Sequence, residues 1–171
     1  MDIATIDMLA PRTLPDRRAL GDLIAPLWAQ ARSREQCVSL IMIAIDDAEL
    51  YSEYYGTLAR EACVRQIRAG LRCQLRGNAD RLAHVGDSEF ALILPGVTGE
   101  YAADIAERLR AAIAMAEIPH ATAAEDWFVT ISLGTATLTP STDKPPELLL
   151  AAADAALHAA QKTGRNRVAV A

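Results

Sequence analysis

Gly86-Asp87-Ser88-Glu89 sets two carboxylates and a hydroxyl on a turn between two apolar runs, within a stretch extending from Leu82 to Pro95. Two buried strands can hold such a turn still, and a rigid polar turn can carry a metal ion or a phosphate. The same pattern also describes a surface hairpin without a site, in which Asp87 and Ser88 are ordinary turn formers. A second acidic cluster, Asp46-Asp47-Ala48-Glu49, directly follows an apolar run. Carboxylates there could hold a cation, or could be stabilised at a helix N-terminus by unpaired N–H groups and the helix dipole. His84, His120 and His158 show no ligand spacing and are expected at the surface. Cys37, Cys63 and Cys73 show none either, and are expected as buried, reduced thiols.

The elements that must position these groups follow from periodicity. Leu14-Pro15-Asp16-Arg17-Arg18 reads as a helix start capped by Asp16, with Ala19, Leu20, Leu23, Ile24 and Leu27 recurring at helical spacing and Pro26 as a possible kink. Val38 to Ile45 is apolar at nearly every position, as in a central strand covered on both faces. A short helix then runs to about Tyr55, where Gly56 ends it. The next runs from about Leu58 to Leu75, with Cys63, Ile67, Leu71 and Leu75 inward and Arg60, Glu61, Arg65 and Arg68 outward.

Gly77-Asn78 breaks the chain before the hairpin, whose strands are expected near 81–85 and 89–94. Thr98 caps a helix striped by Ala102, Ile105, Ala106, Leu109 and Ile113. Phe128 to Thr137 alternates apolar and polar residues, predicting a half-buried strand. Pro145-Pro146 opens a last helix from Glu147 to about Lys162, closed by Gly164, and residues 167–170 form a final short strand. The order is helix, strand, helix, helix, hairpin, helix, strand, helix, strand, which predicts an α+β domain with helices covering a mixed sheet.

The 171 residues suit one domain with a real core, and 51% of them are hydrophobic. A formal net charge of −5 argues against non-specific nucleic-acid binding, which needs a basic face. The longest apolar run is strand-sized, too short to span a membrane. Residues 1–10 carry two Asp and no Lys or Arg, unlike a secretory signal, so a cytoplasmic location is expected.

Taken together these stretches resemble the GGDEF (diguanylate cyclase) family. Gly86-Asp87-Ser88-Glu89-Phe90 stands where the family carries its name motif, followed by Ala91-Leu92-Ile93-Leu94-Pro95. Leu14 to Arg18 resembles the L-x-N-R-R signature, and Ile45-Asp46 with Tyr55-Gly56 resembles the D-I-D-x-F-K-x-x-N-D-x-Y-G segment. Ser132-Leu133-Gly134-Thr135-Ala136 is similar to S-I-G-V-A. Ala153-Asp154-Ala155-Ala156-Leu157 with Gly164-Arg165-Asn166-Arg167-Val168 is similar to A-D-x-A-L-Y-x-A-K-x-x-G-R-N-R-V. The resemblance implies a lead or linker over 1–13 and a degenerate GGDEF domain over 14–171. It implies a ferredoxin-like nucleotide-cyclase palm with a mixed central sheet of about five strands. Active members condense two GTP into cyclic di-GMP across a dimer, with Mg²⁺ held by carboxylates.

Carried over position by position, the resemblance implies lost machinery. Ala44 and Ser88 replace the two principal metal-ligand carboxylates, leaving Asp46 and Glu89 as the supporting acids. A hydroxyl is a poor substitute for a carboxylate on a hard divalent ion. Asp87 replaces a glycine that admits the nucleotide, adding bulk and negative charge beside the triphosphate. Glu49 and Gln161 stand at phosphate-contacting lysines, with Lys162 turned about 100° away on its helix. Ser52 and Glu61 stand at the guanine-reading Asn and Asp, and His84 at a common Arg.

Arg165 matches a phosphate contact, though it and Arg167 could equally complement a helix C-terminus. At the product-inhibition site Asp80 matches the acid, while Arg76 lies one residue short of the position that Gly77 occupies. The resulting expectation is a catalytically inactive regulatory or interaction domain in cyclic di-GMP signalling. The alternatives are a receptor for GTP or cyclic di-GMP without turnover, and a cyclase with residual activity. No cofactor is expected, with Mg²⁺ needed only for residual activity. The expected partner is a protein or a second copy of the chain, not nucleic acid or membrane.

Overall fold

Strand β1, Val38–Ile45, is buried at all eight positions and forms the centre of the sheet. The computed structural model describes residues 17–75, 77, 81–121 and 127–171. The helix start at Leu14 to Asp16, the lead over 1–13, and Arg76 and Asp80 lie outside them. The described elements are α1 (Arg17–Ser33), β1, α2 (Ala48–Tyr55), α3 (Thr57–Gln74), β2 (Leu82–Val85), β3 (Glu89–Pro95), α4 (Gly99–Met115), β4 (Ile131–Leu138), α5 (Glu147–Lys162) and β5 (Val168–Val170). Among them no helix is long and apolar enough to cross a membrane.

The strands lie in the order β2-β3-β1-β4-β5. All neighbours pair antiparallel except β4 with β5, which are parallel and joined through α5. This is the expected α+β domain with a mixed, five-stranded sheet. Side chains alternate across each strand, so β1 feeds two cores. Leu40, Met42 and Ala44 face α1 and α5, packing with Leu20, Ile24, Leu149, Ala153 and Leu157. Ile41 and Ile43 face α3 and α4, packing with Cys63, Ile67, Leu71, Ile105 and Leu109.

Local signals end the helices where expected. Gly56 sits at φ 87° and its N–H donates to the Ser52 carbonyl, closing α2. The Thr98 hydroxyl accepts from the Tyr101 N–H at the start of α4. Helix α1 runs on through Pro26. Gly134 has a different task. A Cβ built there would fall on the backbone of Leu157 and Ala153, so α5 can lie against β4 only over a glycine.

Four expectations need correction. β4 begins at Ile131, and its Ser132 and Thr135 are as buried as its Leu133, because helices cover both faces of this inner strand. Phe128 makes an isolated antiparallel bridge with Pro119 instead of starting the strand. Of the histidines only His158 is exposed. His120 is 1% exposed, with its ring edge-on to Tyr51, and half-buried His84 stacks on Phe90 at 4.7 Å. Cys63 is buried, but Cys37 is half-buried and Cys73 is exposed on α3, and all three are free.

Candidate functional site

The C-terminal end of β1, the β2–β3 turn and the C-terminal end of α5 converge on one cavity of about 470 Å³. It is lined by Ala44, Asp46, Asp47 and Glu49 from the β1–α2 corner, Ser88 and Glu89 from the turn, and Gln161 and Arg165 from the far side. Residues separated by more than a hundred positions thus meet because β3 and β4 flank β1. Ala44 pairs with Glu89 on one side and Ser132 on the other. The Ile45 N–H donates to the Ser88 carbonyl at 3.0 Å, clamping the turn to the strand. Gly86, at φ 70°, supplies the left-handed residue that this turn needs, and Phe90, fully buried, anchors the strand leaving it.

Asp46 is the most constrained side chain of the corner. Its Oδ1 accepts from the Ser132 hydroxyl at 2.7 Å. Its Oδ2 accepts from the Thr130 hydroxyl at 2.7 Å and from the Asn166 N–H at 3.1 Å. The residue is 5% exposed. Burial raises its pKa above the ordinary 3.8, against the pull of the three hydrogen bonds. Asp46 therefore does not stabilise the start of α2, as its place in the acidic cluster had suggested; it ties β1 to β4 and to the loop before β5.

Asp47 adopts a left-handed conformation, φ 51° and ψ 31°, as the residue preceding α2. Its carbonyl accepts from the Tyr51 N–H at 2.9 Å and lies 3.2 Å from His120 Nε2. Its side chain makes no capping hydrogen bond, and instead its Oδ1 lies 3.2 Å from Arg165 Nε. Arg165 thus reaches into the cavity and is not spent on the end of α5. Glu49, in the first turn of α2, is exposed.

The turn's Asp87 points elsewhere, toward α3, where its Oδ2 lies 3.5 Å from Arg60 Nη2. Asp87 is 74% exposed and Arg60 21%, so this is a surface pair. Beside it, burial and the nearby Arg68 charge lower the His84 pKa from the ordinary 6.5. Ser52 and Glu61 do not line the cavity: the first is half-buried on α2, the second exposed on α3.

Sequence reasoning missed the partners of Asp46 and the Asp47–Arg165 pair. Ser132 and Asn166 both fall inside motifs noted above, but nothing local shows that they meet Asp46. Among the described residues, no group of three His, Cys, Asp or Glu side chains is placed to hold a metal ion.

Comparison with known proteins matches residues 4–167 to the family described as Diguanylate cyclase, GGDEF domain. The chain is 34% identical over 154 residues to the Bacillus subtilis protein YhcK, covering 90% of this chain and 42% of YhcK. It is 32% identical over 158 residues to the Pseudomonas aeruginosa diguanylate cyclase DgcP, covering 92% of this chain and 23% of DgcP. The chain thus spans less than half the length of these relatives. The crystal structure of the GGDEF domain of DgcB from Caulobacter crescentus, in complex with c-di-GMP, superposes with a TM-score of 0.76. That match has 26% identity and covers 92% of this chain and 91% of the DgcB domain.

Proposed function

The chain belongs to the GGDEF-domain family of diguanylate cyclases, and we propose that it is a non-catalytic member, a regulatory or docking domain in cyclic di-GMP signalling. One observation carries this reading. The corner where the family's metal ions would bind offers Ala44, which has no donor, Ser88, a weak hydroxyl, and an Asp46 whose oxygens already accept three hydrogen bonds. A magnesium ion demands near-octahedral oxygen coordination and is held through carboxylates and phosphates, and these residues do not fit it. When bound in an active relative, such a metal neutralises the triphosphate and activates the attacking hydroxyl.

The remaining lining opposes a nucleotide as well. Glu49 and Gln161, at the positions where the resemblance implies phosphate-contacting lysines, bring a negative charge and an uncharged amide to the cavity. The protein's own residues here hold structure: Asp46 pins β4 and the β5 loop, and the turn is fastened to β1 through Ser88. Incubation with GTP and either Mg²⁺ or Mn²⁺, followed by product analysis, is expected to give no cyclic di-GMP. Clear product formation overturns the reading.

A second reading, binding of cyclic di-GMP without turnover, draws support from the DgcB domain, whose structure contains that ligand. Titration calorimetry with cyclic di-GMP tests it, and absence of both heat and thermal shift rules it out.

A further inference from the structure

Two cationic side chains at this corner are each engaged by a carboxylate of the same chain. Arg165 in the cavity lies 3.2 Å from Asp47, and Arg60 beside the turn lies 3.5 Å from Asp87. Neither carboxylate has the structural task that occupies Asp46. Asp47 acts on its surroundings through its backbone carbonyl, and its side chain caps nothing. Asp87 is an exposed turn residue. A guanidinium is the group best shaped to bind a phosphate, and here each faces an internal anion instead.

Of the two pairs only Asp47–Arg165 lines the cavity, and we propose that Asp47 is a specificity-determining residue, a built-in counter-anion that occupies Arg165 and thereby excludes polyphosphate ligands from it. An incoming anion must displace the Asp47 carboxylate from Arg165 and then remain beside the displaced charge, in a pocket that also carries Glu49 and Glu89. This rests on the non-catalytic reading above and adds to it the charge that the cavity rejects. On this account phosphate binding is blocked by a removable charge as well as by missing contacts.

The test is titration calorimetry with inorganic tripolyphosphate, without divalent metal and at low salt. The variants are Asp47→Asn and Asp47→Gly. Asn and Gly both tolerate the left-handed backbone at position 47, so shape is kept while one charge is removed. Asp47→Asn is expected to bind about tenfold more tightly than the unchanged chain, with a gain that shrinks as salt rises. Adding Arg165→Gln is expected to reverse most of that gain.

Asp104→Asn, an equal change of net charge on the exposed face of α4, is expected to give none. If Asp47→Asn does not fold, Asp47→Gly carries the test. No gain in the folded Asp47 variant overturns the proposal. So does an equal gain from Asp104→Asn, or a gain that survives Arg165→Gln. None of these outcomes bears on GTP turnover, so a failure here is separate from a failure of the non-catalytic reading.

Discussion

The inner wall of the β1–α2 corner and its outer lip come from the same motif-bearing stretches, yet their side chains have different obligations. On the inner wall Asp46 accepts hydrogen bonds from Thr130, Ser132 and Asn166, and nearby Gly134 lets α5 lie directly on β4. On the lip Ser88 and Asp87 stand on a turn, and the partner of Asp87 is a surface arginine 3.5 Å away. The hydrogen-bonded and close-packed residues of the inner wall, Asp46, Ser132, Gly134 and Asn166, are of the types that the family resemblance leads one to expect, whereas Ala44 beside them and Asp87 and Ser88 on the lip depart from it. A domain that stops handling a ligand still has to bury its polar groups in partnership, because an unpaired buried donor is costly whatever the function. Charges that served only a ligand are under no such constraint.

That contrast can be broken at its strongest point first. Gly134→Ala puts a methyl group into the backbone of α5 and is expected to cost about 3 kcal/mol or more, or to prevent folding. Urea denaturation measures it, and a loss under about 1 kcal/mol would mean that α5 can slide off the glycine.

Next comes Asp46. Asp46→Ala strands three donors and is expected to cost about 3 kcal/mol, whereas Asp46→Asn stays within about 1 kcal/mol. The asparagine oxygen can face the Asn166 N–H while its amide donates to the Ser132 hydroxyl, which can turn to accept. The pH dependence sharpens this. Because the folded-state pKa of Asp46 lies above 3.8, the unfolded chain loses this proton first. Between 3.8 and the folded-state value the folded state binds more protons, so this group's contribution to stability falls as pH rises through that window. Comparing urea midpoints of the unchanged chain and Asp46→Asn across that range should show the fall only in the former.

The smallest effect is on the lip. Ser88→Asp is expected to shift stability by no more than about 0.5 kcal/mol, since position 88 is only half-buried and faces the open cavity. The matching restoration on the inner wall, Ala44→Asp, places a carboxylate at a position only 3% exposed and is expected to cost about 2 kcal/mol or more. Equal thermal shifts for the two variants would erase the distinction between wall and lip.

Much of the fold was legible in the chain because its causes are local. The unbroken apolar run at Val38–Ile45 identified a strand covered on both faces, and Gly56 and Thr98 marked helix ends that the structure places at those residues. The resemblance placed Asp46, Glu49, Ser52, Glu61, Ser88, Glu89, Gln161 and Arg165 in one pocket; six of these line one cavity, and Ser52 and Glu61 do not. What failed was anything depending on a distant partner. Ser132 looked like the outward residue of a half-buried strand, and His120 like a surface histidine, until the packing of other elements buried both.

The sequence by itself therefore determined the elements, their order, and the presence of Ala44 and Ser88 where the family resemblance implies carboxylates. Periodicity, capping and residue chemistry act within a few residues of one another. Only the tertiary structure decided what the remaining acids do. Asp46 finds its partners 84, 86 and 120 positions away through the pairing of β1 with β4 and the return of α5 to the sheet. Its neighbour Asp47 turns to Arg165, and the turn that first looked like a metal site is held by its backbone to β1 while its free carboxylate reaches Arg60. Which way a carboxylate faces, and whether water or a hydroxyl meets it there, is set by strand register, and register is a property of the assembled sheet.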